Sequence, residues 1–179
     1  KILPSPIATK DDWSMPTNDL NVQNPLNIVF LVGFPRSGTT LLENVLDSQP
    51  QIVALGEKPM IANTVRKLET LKPKTGTDYS RLDNDTLLAL RNNYLEVFKA
   101  YARISDFNES DVYIDKEPFN ITSVPLIKSI FPEAKIILAL RHPLDCILSC
   151  YVQNFVSSAE TTHFEQWENT FNRYADMFG

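Results

Sequence analysis

The run Ile28-Val29-Phe30-Leu31-Val32 passes directly into Gly33-Phe34-Pro35-Arg36-Ser37-Gly38-Thr39-Thr40. Leu41, Leu42, Val45 and Leu46 then follow at helical spacing. An unbroken apolar, β-branched run suits a strand buried on both faces. Strand, glycine loop and helix together form the frame in which successive backbone N–H groups converge on an oxyanion at a helix N-terminus. The spacing is G-x-x-x-x-G-T-T. A nucleoside-triphosphate loop would carry lysine where Thr39 stands. That lysine reaches the β- and γ-phosphates, and the next Ser/Thr holds magnesium. This loop is therefore expected to cradle one terminal phosphate-like group. Gly33 and Gly38 let the backbone turn, Arg36 offers a planar fork of donors, and Ser37, Thr39 and Thr40 add hydroxyls.

The rest of the chain alternates strands and helices. Residues 1–26 contain Pro4, Pro6, Pro16 and Pro25 and read as an extended lead-in, with one domain over 27–179. A short strand is expected at 52–55, ending at Gly56, and a helix at 59–71. Residues 72–80 read as a loop. A long helix capped by Asp83 or Asn84 should run to about Ile104, with Leu87, Leu88, Leu90, Tyr94, Leu95, Val97 and Phe98 as its apolar face. Residues 112–114 read as a strand, 121–131 as a helix, and 135–140 (KIILAL) as a second buried strand. Pro143 suits the first turn of a helix to about Phe155, and a last helix spans 164–178. This order predicts an α/β fold, a parallel sheet with helices on both faces, with ligands beyond the carboxyl ends of the strands.

Composition narrows the class. With 22 Asp+Glu against 17 Lys+Arg, a net charge of −5, the chain is not a general nucleic-acid binder. With 43% apolar residues it is not a disordered one. Its longest apolar stretches, 28–34 and 136–140, fall far short of the ~20 residues needed to span a bilayer. Cys146 and Cys150 lie four apart on one helical face, as two small core residues of a reducing compartment. His142 and His163 are the only histidines, so no structural metal is expected.

A second anion site is suggested by Arg141, at the end of the strand 135–140, and Ser149, eight residues on in the following helix. Each alone would read as a solvated strand end or a self-bonded helix serine. Beside a phosphate loop on the same sheet edge, they read as a second phosphate site.

The pair FPRSGTT and LRHPLDCILS resembles the motifs of sulfotransferases that use 3′-phosphoadenosine 5′-phosphosulfate (PAPS). The flavour is that of tyrosylprotein sulfotransferases and bacterial sulfotransferase domains, whose G-E and K-x-P-F stretches are matched by Gly56-Glu57 and Lys116-Glu117-Pro118-Phe119. The resemblance implies the sulfotransferase fold, P-loop NTPase-like, C-terminally incomplete at Gly179. It implies an enzyme that moves a sulfuryl group from PAPS to an acceptor hydroxyl (tyrosyl, carbohydrate or small molecule), leaving PAP and using no metal.

On this resemblance Glu57 is the general base, and Lys116 and Arg36 stabilise the bridging oxygen and the sulfonate. Arg36, Ser37, Gly38, Thr39 and Thr40 hold the 5′-phosphosulfate, and Arg141 and Ser149 the 3′-phosphate. Asp115 and Glu117 are expected to orient Lys116. His142 is expected to cap its helix. Segment 58–110 is expected to wall the acceptor site. The expected location is cytoplasmic, or the Golgi lumen if a membrane anchor has been removed. Two other readings are a kinase-like P-loop nucleotide enzyme and a catalytically incomplete PAPS- or PAP-binding module.

Overall fold

The computed structural model describes residues 26–71, 79, 82–153 and 161–178. The apolar run forms β1 (Ile28–Gly33), buried at every position. It lies inside a four-stranded parallel sheet with β2 (Ile52–Ala54), β3 (Val112–Lys116) and β4 (Lys135–Ala139), in the order β2-β3-β1-β4. The two-residue period of β1 divides the core. Ile28, Phe30 and Val32 point into a large cluster with Met60, Leu87, Tyr94, Phe98, Leu126 and Phe131. Val29 and Leu31 point to the other face, where Leu42 and Leu46 of α1 (Thr39–Asp47) cover them.

The large cluster is roofed by α2 (Met60–Leu71), α3 (Asn84–Ala102) and α4 (Val124–Ile130). Asp83 caps α3 by accepting the Thr86 N–H at 2.8 Å. On α3, Leu87, Leu90, Tyr94 and Phe98 recur at helical spacing and are buried, whereas Leu88, rotated about 100° from Leu87, is 42% exposed. It does not belong to the buried face as expected. The helix expected over 121–131 is also divided: residues Pro118–Ser123 are a 3-10 turn, and α4 starts only at Val124. Pro125 lacks an N–H, and its ring would clash with the carbonyl of Ile121 were the α-helix continuous.

The expectation of a second buried strand also needs correction. Among the described residues β4 lies at the sheet edge, and Leu138 is 43% exposed. Leu140, Leu144 and Leu148, which follow it in the chain, are exposed too. Beyond β4, α5 (Pro143–Val152) buries Cys146 and Cys150 against Phe34 and Phe164, both thiols free. The last helix, α6 (Trp167–Phe178), follows a 3-10 turn at Thr162–Glu165. Tyr174 packs on Phe34 with ring centroids 4.9 Å apart, tying α6 to the loop after β1. Residues 1–25 of the expected lead-in 1–26, most of the loop 72–80, and residues 154–160, including the expected end of α5 at Phe155, lie outside the described residues. No helix among the described residues is long and apolar enough to cross a membrane.

Candidate active site

All four strands deliver a candidate residue at their carboxyl ends. The loop with Arg36 and Thr40 follows β1, Glu57 follows β2, Lys116 ends β3 and Arg141 follows β4. This is where an open parallel α/β sheet exposes its loops to a ligand.

The loop after β1 is shaped by its neighbours. Ser37 N–H donates to Phe34 C=O at 3.1 Å, closing a turn with Pro35 and Arg36 at its centre. Arg36 has φ 69°, a left-handed value that glycine ordinarily takes. Holding an arginine there costs about 1–2 kcal/mol. Gly33 pairs with Ala139 of β4, and a Cβ on it would stand 2.7 Å from the Ala139 carbonyl oxygen and 2.9 Å from Ser37 Oγ. Only glycine lets the loop close over the strand there. Gly38, φ 101°, starts α1 without a side-chain cap. The first-turn N–H groups have no acceptor within the helix. Ser37 Oγ is buried and unbonded among the described residues. An orphaned hydroxyl, uncapped N–H groups and an arginine held in strain fit a bound oxyanion.

Helix α5 and Arg141, just before it, hold this loop. Arg36 Nε donates to Ser149 Oγ at 3.0 Å, Arg141 Nη1 donates to the Arg36 carbonyl at 3.3 Å, and the Cys150 thiol donates to the Pro35 carbonyl at 3.4 Å. The two expected anion sites are therefore contiguous, and the Arg36 side chain lies with Arg141 and Ser149. Arg141 also pairs with Asp145 at 3.5 Å. Burial pushes the Cys150 thiol up to about 12; nearby Cys146 adds to this and Arg36 opposes it. His142 begins α5 through its carbonyl, which accepts from Asp145 and Cys146 N–H, but its side chain makes no cap bond.

A second group gathers around Lys116. Its ammonium donates to Glu57 Oε1 at 2.7 Å and to Thr40 Oγ1 at 3.5 Å, and pairs with Glu43 Oε2 at 3.3 Å. The Lys116 and Glu43 side chains are 4% and 10% exposed, that of Glu57 56%. Gly56, φ 65°, makes the turn that presents Glu57.

The expectation that Asp115 and Glu117 orient Lys116 is not met. Successive strand residues point to opposite faces, so Asp115 projects into the large core. There it accepts from the Tyr94 hydroxyl at 2.7 Å and from Asn120 Nδ2 at 3.4 Å. Burial raises its carboxyl to about 7, the Tyr94 bond opposing and the Glu117 charge adding. Glu117 accepts from Phe119 N–H and caps the 3-10 turn. The carboxylate that holds Lys116 from within is Glu43, which sequence reasoning missed. The signal was available: Glu43 sits four residues after Thr39, on the buried face of α1. Among the described residues no cluster of three or more His, Cys, Asp or Glu side chains could hold a metal.

A family model described as sulfotransferase family matches residues 28–178. An uncharacterised protein of Aquifex aeolicus is 31% identical over 144 residues, 76% of this chain and 18% of that protein. Protein-tyrosine sulfotransferase A of Caenorhabditis elegans is 29% identical over 114 residues, 63% of this chain and 30% of the relative. Protein-tyrosine sulfotransferase 2 of Gallus gallus is 33% identical over 121 residues, 64% and 31%. The chain thus spans a third or less of the length of these curated relatives.

Proposed function

This chain belongs to the sulfotransferase family, and on that premise we propose that it moves a sulfuryl group from PAPS to an acceptor hydroxyl, with Glu57 as general base. The observation that carries this reading is the position of the Lys116 ammonium, which β3 brings to Thr40 of the phosphate loop and to Glu57 at once. Thr39 occupies the place of the lysine that a nucleotide loop carries in its own sequence. Here the cation comes from a neighbouring strand, and it comes with a half-exposed carboxylate.

PAPS, when bound, supplies the activated sulfuryl group. The uncapped start of α1 with Ser37, Gly38, Thr39 and Thr40 holds its 5′-phosphosulfate, and Arg141 with Ser149 holds its 3′-phosphate. Glu57 takes the proton of the acceptor hydroxyl. Lys116 holds the charge that grows on the bridging oxygen as the old bond to sulfur breaks, and Arg36 joins it once its Nε leaves Ser149. The tyrosine sulfotransferase relatives favour a tyrosyl acceptor among hydroxyl-bearing substrates.

Calorimetric titration with PAP and with ATP plus magnesium, followed by an assay of sulfuryl transfer from PAPS to a tyrosyl peptide, tests the reading. Binding of PAP with transfer supports it. No PAP binding overturns it, magnesium-dependent ATP binding would point to a kinase-like enzyme, and PAP binding without transfer to any hydroxyl acceptor would leave a binding module.

A further inference from the structure

We infer that Glu43 is a positioning residue for the transfer step: it anchors Lys116 from the buried side and balances its charge while Glu57 turns to the acceptor. The inference rests on the sulfuryl-transfer reading above. Lys116 stands between two carboxylates of opposite character. Glu57 bonds it at 2.7 Å but its side chain is 56% exposed and hangs on the turn after β2. Glu43 pairs with it at 3.3 Å from the buried face of α1, and its side chain is 10% exposed. Its other oxygen, Oε1, lies 3.6 Å from where a Cβ on Gly56 would be, directly beneath the turn that carries Glu57.

The two carboxylates cannot exchange roles. Glu43 is enclosed by α1 and the Gly56 turn, so no acceptor can approach it. Glu57 can leave Lys116 and reach outward. A base that takes a proton from an acceptor cannot at the same moment serve as the counter-ion of a buried ammonium. A buried charge left without a partner is costly, so without Glu43 the release of Glu57 would strand the Lys116 ammonium. With Glu43 in place, Lys116 keeps one partner throughout and stays aimed at Thr40 Oγ1, 3.5 Å away, the side of the phosphate loop. Glu43 acts through Lys116 and the Gly56 turn and does not touch substrate.

Glu43→Gln preserves shape and removes the charge. The expected result is a kcat lowered about 10–100-fold, the loss usual when a supporting partner is removed, with PAP affinity and the KM for PAPS nearly unchanged. Glu43→Asp should recover part of the kcat. In a Lys116→Met background, Glu43→Gln should cost little more, because the two act as one unit. Equal activity of Glu43→Gln and the unaltered chain overturns the inference, as does a loss of PAP affinity matching the loss of kcat, or losses that simply add in the double variant. If Glu43→Gln does not fold, Glu43→Asp carries the test alone: a lower kcat at constant KM supports the role, and an unchanged kcat removes it. An unaltered chain that neither binds PAP nor transfers sulfuryl overturns the functional reading itself, an outcome distinct from all of these.

Discussion

The Lys116 ammonium lies 2.7 Å from Glu57 Oε1, so the proposed cation and the proposed base are bonded to each other before any substrate arrives. Glu57→Ala should therefore keep PAP affinity and lower transfer about 10²–10⁴-fold. Single-turnover transfer beside PAP calorimetry checks this; a PAP affinity that falls in step with the rate would place Glu57 in binding instead.

Arg141 should act on one phosphate. Arg141→Ala is expected to weaken PAP binding about 10–100-fold, the loss of a charge-assisted hydrogen bond, and to leave adenosine 5′-phosphate binding unchanged. The same guanidinium also donates to the Arg36 carbonyl at 3.3 Å. Equal losses for both ligands would show that Arg141 supports the loop and does not read the 3′-phosphate.

Gly33 and Gly38 should differ in kind. Gly33→Ala puts a Cβ 2.7 Å from the Ala139 carbonyl oxygen, a backbone clash expected to cost about 1–3 kcal/mol of stability and to abolish PAP binding by displacing the loop. Gly38→Ala meets nothing within 4 Å and carries only the strain of φ 101°, about 1–2 kcal/mol. Urea unfolding of the two variants, with PAP titration, distinguishes clash from strain.

Asp115 makes stability depend on pH with a definite sign. Its carboxyl is raised from 3.8 to about 7 in the fold, so between those values the native state holds a proton that the unfolded chain has lost. Stability from this group falls as pH rises through that window. Asp115→Asn cannot ionise. The stability of this variant minus that of the unaltered chain should therefore rise by about 2–3 kcal/mol from pH 5 to pH 8. Urea midpoints at the two pH values measure it, and a difference that stays flat or falls would contradict the buried-acid assignment.

Much of the local structure around the candidate site was legible because its parts are contiguous in the chain. β1, its loop and α1 are contiguous, and their glycines, Pro35 and apolar periods state the turn and the helix directly. The places of Arg141 and Ser149 were legible for the same reason, just after one strand and in the second turn of the next helix. Leu88 and the start of α4 were misjudged by small local effects, a rotation of about 100° between neighbouring helix residues and a proline that forbids the preceding α-turn. Neither moves the site.

The partners of Lys116 were not legible in the same way. In sequence it lies beside Asp115 and Glu117. In the fold it meets Glu57, Thr40 and Glu43, which are 59, 76 and 73 residues away in the chain. The pleat sends Asp115 to the opposite face, toward Tyr94, and the register of β3 against β1 brings Lys116 level with Leu31, over the face that α1 covers. The edge position of β4 follows from the strand order, which no run of apolar residues encodes.

The amino-acid sequence alone determined the glycine loop between β1 and α1 and the family of the chain, because hydrogen bonds and turns between near neighbours depend on local residue types. Tertiary structure decided which carboxylates hold Lys116 and which way Arg36 faces. Those contacts join separate strands and helices, and only the packing of the sheet brings them together.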